Sequence, residues 1–180
     1  MIIKRMDSKQ AELDQITSLL KGTLNPEQRF GLVNEAKTIK NGTQGEKDAA
    51  YHIDFYFAKS KKWAVIHDLR LEREGQGAQI DHILVNRFFD FFVLESKNYS
   101  SEIKITPHGE FQAYYGKRWS GIESPLEQNK RHIHFLQGFL QNKEIACSIN
   151  SPCFFRLSFT DLGSLFSPSL WRCSSSVGKL

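Results

Sequence analysis

Residues 88–94 read Phe-Phe-Asp-Phe-Phe-Val-Leu, a nearly continuous apolar run that stops abruptly at Glu95-Ser96-Lys97. A run of that length, entered from the tight Asn86-Arg87 connection and left through charge, reads as a central strand covered on both faces. It predicts an α/β fold, a mixed central β-sheet flanked by helices, and it puts a charged triplet at one end of that sheet.

The flanking segments supply the other layers. Residues 1–42 read as helical. Ile16, Leu19, Leu20 and Leu24 fall at helical spacing, and Asn25-Pro26-Glu27 has the form of an N-cap, a proline at the first helical position and an acidic first turn. That second helix is expected to end near Asn41-Gly42. A further helix is expected from Thr43, with Glu46, Ala49, Ala50, Ile53 and Phe57 on one face. Trp63–Leu71 and Ala78–Val85 read as strands around a turn, Glu72 to Gly77, whose two glycines suit positive φ. Ile103–Thr106 and Phe111–Tyr115 read as an accessory hairpin around Pro107-His108-Gly109. Pro125 opens a helix through Gln128, His132, Phe135 and Phe139. Cys153–Phe159 reads as one more strand. Serine crowds the residues beyond it, which fits a truncated or atypical terminus. The expected division is an N-terminal helical segment (1–42), a central domain (43–160) and a serine-rich tail (161–180).

Composition excludes several classes. Hydrophobic residues are 40% and charged residues 24% of the 180, which is globular rather than disordered. No apolar run approaches the roughly 20 residues of a membrane helix, and the start, with Asp7, Glu12 and Asp14, has no signal-peptide core; a cytoplasmic protein is expected. Cys147, Cys153 and Cys173 form no C-x-x-C pair, so neither a zinc ribbon nor a disulfide framework is indicated. A net charge of +4 permits a polyanionic partner without demanding one.

The chemistry centres on the triplet. Alternation along a strand puts Glu95 and Lys97 side by side, with Ser96 pointing away. The Asn86-Arg87 turn makes the Asp81 strand an antiparallel neighbour, so Asp81 and Glu95 meet at one sheet end. Two converging carboxylates beside a lysine make a hard-oxygen site for Mg²⁺. Such a metal would clamp a phosphodiester oxygen and acidify water, while Lys97 positions the nucleophile or stabilises developing charge. Acid-x-Lys alone is weak, since Asp7-x-Lys9, Glu35-x-Lys37 and Glu102-x-Lys104 also occur. Context singles out the third of the four. A structural ion pair is the alternative for Asp81, Glu95 and Lys97; a first-turn role is the alternative for Glu46 and Gln128. His82 lies on the opposite strand face from Asp81, and His132 and His134 do not face each other. Arg70, Arg73, Arg87, Lys117, Arg118, Lys130 and Arg131, with Tyr114, Tyr115 and Trp119 among them, could contact phosphates and bases or serve as ordinary surface. Ser174 to Leu180 is no phosphate loop, because Cys173 stands where its first glycine is needed.

In order, Gly45-Glu46, Ile80-Asp81-His82-Ile83, Val93-Leu94-Glu95-Ser96-Lys97-Asn98 and Ser124-Pro125-Leu126-Glu127-Gln128 resemble the nuclease-related domain family, a branch of the PD-(D/E)xK nuclease superfamily. The resemblance covers roughly residues 30–142 and implies a restriction-endonuclease-like core. It implies Glu46 as the helix-borne acid, Asp81 and Glu95 as metal-binding acids, Lys97 as the catalytic lysine and Gln128 as the polar helix residue facing the site. It further implies a DNA-processing nuclease using Mg²⁺, with Mn²⁺ as a substitute, of a kind often fused to helicase, kinase or zinc-finger modules; DNA is the expected partner, a helicase or other DNA-processing protein a further one, and a homodimer is an option the sequence leaves open. The rival expectation is a catalytically inactive nucleic-acid-binding or interaction module that keeps the nuclease fold.

Overall fold

The computed structural model describes residues 1–99 and 101–150. The strand expected at Cys153–Phe159, the tail from residue 161, and Cys153 and Cys173 lie outside them; Cys147 is an exposed free thiol. The elements run β1 (Ile2–Lys4), α1 (Gln10–Leu20), α2 (Pro26–Phe57), β2 (Trp63–Arg73), β3 (Gln76–Asn86), β4 (Asp90–Leu94), β5 (Ile103–Ile105), β6 (Phe111–Tyr115), β7 (Arg118–Gly121), α3 (Pro125–Gln141) and β8 (Ser148–Asn150).

The main sheet has the order β1-β2-β3-β4-β8. Its outer pairs are parallel and its inner pairs antiparallel, so it is the mixed sheet expected. Neighbouring residues of the inner strands feed two different cores, as a two-residue repeat requires. Ile83 and Val93 pack with Leu136 and Leu140 of α3. Leu84 and Leu94 pack with Ile53 of α2 and Val65. A helix therefore covers each face, and α3 is pinned to the sheet by buried Asn129, whose Nδ2 donates to the Val93 carbonyl at 3.2 Å. No helix among the described residues is long and apolar enough to cross a membrane.

Several local expectations change. Ile2–Lys4 is a strand rather than the lead into a helix, because pairing with β2 satisfies its backbone. The two helices expected to meet at Gly42 are one, α2, opened by a full capping box between Asn25 and Gln28. An interior glycine costs a helix roughly 1 kcal/mol, and packing at Gly45 overrides that here. The β2–β3 turn is Glu74-Gly75, with φ of 55° and 74°, a two-residue turn that lets both strands run further than expected. The run from Phe88 enters its strand only at Asp90: the Asn86 side chain accepts from the Phe88 and Asp90 amides, Phe89 takes φ 61°, and both phenylalanines stay exposed. Beyond the accessory hairpin a third strand, β7, forms, making a separate sheet β5-β6-β7.

Between the ladder pairs His67–His82 and Leu69–Ile80 lie Asp68 and Asp81. Asp68 is buried with φ 51° inside a strand, a left-handed conformation that aspartate tolerates better than most residues. Gln79 Nε2 donates to its Oδ1 at 2.8 Å and the Asp7 amide to its Oδ2 at 3.2 Å. The faces shift across this step. Ile66 and Ile83 pack towards α3 before it, and Leu69 and Ile80 after it.

Candidate active site

The β3–β4 ladder ends at the pair His82–Leu94. The next positions on the two strands are Asp81 and Glu95, so they converge where the sheet opens. The strand itself stops at Leu94, and Glu95-Ser96-Lys97 turns away from it. That departure corrects the expected orientation of Ser96. Released from strand alternation, its amide and Oγ both donate to Asp81 Oδ2 at 2.8 Å, holding Asp81 in place.

Glu95 is 2% exposed. Lys97 Nζ lies 2.9 Å from its Oε1, Gln128 Nε2 donates to the same oxygen at 2.5 Å, and His132 Nδ1 stands 3.1 Å from Oε2. Gln128 sits in the first turn of α3, yet Ser124 caps that helix and leaves the amide free to reach the cleft. His132 follows one turn on, on the same face. Glu46 lies in the interior of α2, far from the N-terminal end where the helix dipole would account for it.

Glu46, Asp81, Glu95, Lys97 and Gln128 line one cleft of about 490 Å³ together with Gln79, Ser96, Asn98, Tyr99 and Tyr115. All five residues singled out in the sequence are therefore brought together. His82 is on the other side, as expected: its Nδ1 is 2.8 Å from His67 Nδ1, and His67 Nε2 is 3.0 Å from Asp54 Oδ1. Burial, with His67 adding, pushes His82 down to about 3, so it is neutral in the fold.

The acids are driven apart electrostatically. Burial lifts Glu46 to about 7, with Asp81, Asp68 and Glu95 adding to the rise and Lys9 opposing it. Burial and then Glu95 raise Asp81, against the two Ser96 bonds. For Glu95 burial also acts upward, but the His132 and Lys97 contacts together hold it below its ordinary value. Carboxylates that destabilise one another in a shared cleft favour a cation among them.

Whether Mg²⁺ suits these residues turns on the donor count. Among the described residues no group of three or more His, Cys, Asp or Glu side chains has the arrangement of a metal cage. Mg²⁺ rarely uses a full protein cage; it binds through one or two carboxylates and keeps water or substrate phosphate on its other positions. Asp81 and Glu95 meet that requirement in donor chemistry.

Gly45, next to Glu46, has a steric reason. A Cβ there would lie 2.5 Å from Asn98 Cβ, and Asn98 Nδ2 donates to the Asn41 carbonyl at 3.1 Å. Helix α2 thus touches the loop that carries Lys97, and only glycine allows the approach. Gly45→Ala should push that loop off the helix, lowering stability by about 1–3 kcal/mol. Unchanged thermal melting would show that the contact is easily relieved.

Sequence reasoning passed over Ser96, Asp68, Asn98, Tyr99 and the contact of His132 with Glu95. His132 was legible as a face-mate of Gln128, and Asp68 as a charge inside an apolar strand. Ser96 and Asn98 stood inside the motif that carries the family resemblance, but nothing in the sequence assigned either a contact.

No curated protein and no solved structure matches the chain. The family model described as nuclease-related domain matches residues 41–156, well over half of the chain, and that stretch takes in Glu46, Asp81, Glu95, Lys97 and Gln128. With β2, β3 and β4, the C-terminal part of α2, all of α3 and the five acid, lysine and glutamine residues of the cleft inside the matched region, the chain belongs to the nuclease-related domain family, a branch of the PD-(D/E)xK superfamily.

Proposed function

We propose that this protein hydrolyses phosphodiester bonds in DNA with the help of Mg²⁺, which Mn²⁺ can replace. The observation that carries the reading is the convergence of Asp81 and Glu95 one step beyond the last β3–β4 pair, with Lys97 Nζ 2.9 Å from Glu95. Asp81 and Glu95 would hold the ion, which supplies charge neutralisation at the phosphate and acidification of water. Ser96 fixes the Asp81 carboxylate through its paired bonds. Lys97 presents a cation at the cleft and orients the attacking water, and Gln128 Nε2 supports the same edge of Glu95. Glu46, poised between its two protonation states near neutrality, can take up or release a proton close to the scissile bond.

A second reading has its own observation. Glu95 already has Lys97 and Gln128 on Oε1 and His132 3.1 Å from Oε2, the surroundings of a structural ion-pair cluster, and this favours a non-catalytic nucleic-acid-binding module on the same fold. Metal dependence separates the two. Supercoiled plasmid incubated with the protein should be nicked in Mg²⁺ or Mn²⁺ and untouched in EDTA. Intact plasmid under all three conditions would transfer the assignment to the binding module.

A further inference from the structure

The second sheet projects a hairpin whose aromatic residues the hydrolytic reading does not use. Strands β6 and β7 join through Gly116 and Lys117 at φ 54° and 68°, a two-residue turn that holds both strands tightly. Tyr115 and Arg118 are partners at the end of the ladder, and Tyr114 and Trp119 are partners one step further in. The two pairs therefore occupy opposite faces.

One face is braced. Tyr114 and Trp119 ring centroids are 5.3 Å apart, and Lys104 Nζ of β5 lies 4.3 Å from the Trp119 ring centre. The other face meets the cleft. Tyr115 lines it together with Tyr99 and the acid-lysine group, and 46% of Tyr115 is exposed. Lys117 and Arg118, exposed at the tip, put positive charge beside that ring. An exposed aromatic ring beside cations is what a nucleic-acid backbone with accessible bases requires: the bases stack and the phosphates pair. Bases inside a continuous duplex offer no free face to such a ring.

We propose that Tyr115 and Tyr99 form a stacking platform for unpaired bases, flanked by Lys117 and Arg118 for the phosphates, so that single-stranded DNA is the preferred occupant of the cleft. This rests on the nuclease reading for its placement of the scissile strand, but the test is made on binding alone. Fluorescein-labelled DNA of one sequence, as a single strand and as a blunt duplex, is titrated in EDTA with the wild-type protein and with Tyr115→Leu and Tyr115→Phe, whose folding is checked by circular dichroism and thermal melting. Wild type should bind the single strand more tightly. Tyr115→Leu should weaken that binding about tenfold and leave duplex binding unchanged, consistent with a stacking contribution of roughly 1–3 kcal/mol per base, and Tyr115→Phe should bind like wild type. Equal wild-type affinity for both forms, or a leucine variant that binds the single strand as tightly as wild type, overturns the platform. Single-strand preference in EDTA with no cleavage of either the labelled single strand or plasmid in Mg²⁺ would retain the platform and remove the nuclease; cleavage without that preference would do the reverse.

Discussion

Lys97→Ala and Asp81→Asn should each reduce metal-dependent plasmid cleavage by roughly 10²–10³-fold or more, the usual consequence of deleting one preorganised charge from a phosphoryl-transfer site. The two substitutions remove different things. Lys97→Ala takes away the cation 2.9 Å from Glu95 Oε1, yet Gln128 and His132 still contact that carboxylate, so the buried charge keeps partners and the fold should survive. Asp81→Asn keeps the shape of the side chain and an oxygen for the Ser96 bonds but gives up the anionic charge a metal needs. Initial nicking rates, measured beside thermal melting of each variant, check the result. Rates within a few-fold of wild type in both variants would exclude the assigned site, whatever the source of any residual cleavage.

Leu136→Ala is expected to have the largest effect on stability. Leu136 is 2% exposed in the core formed by Ile80, Ile83, Val93 and Leu140, and removing a side chain so placed costs about 2–5 kcal/mol. For a chain of this size that corresponds to a fall in Tm of roughly 4–20 °C. The site should suffer as well, because α3 carries both Gln128 and His132 against Glu95. Cleavage should fall in step with the fraction unfolded as temperature rises, and return near wild type on cooling. A Tm unchanged within about 2 °C would show that α3 is not held to the sheet through this residue.

The legibility of the fold followed the range of the forces. Capping of α2 at Asn25, the start of α3 at Pro125, the strand pattern of β2 and β3, and the hairpin of β5 and β6 were readable because a few neighbouring residues decide them. The run beginning at Phe88 misled because its first two residues answer to an Asn86 side-chain turn rather than to hydrophobic pattern. Gly42 and Gly45 suggested a helix boundary on propensity, whereas Gly45 marks the contact of α2 with Asn98, a residue far along the chain. That approach has no local signature.

The site divides in the same way. The sequence alone determined that a charged triplet follows an apolar strand, that Asp81 sits on its antiparallel neighbour, and that Glu46 and Gln128 face inward from their helices. Spacing and periodicity are properties of a linear pattern, and these four facts follow from them. The tertiary structure alone decided that Ser96 turns to clamp Asp81, that His132 joins Lys97 and Gln128 around Glu95, that Asp68 enters a strand at positive φ beside the acids, and that a separate hairpin brings Tyr115 to the same cleft. Each depends on where one element ends relative to another. Side-chain geometry at such junctions is set by packing between distant segments, which no window of neighbouring residues contains.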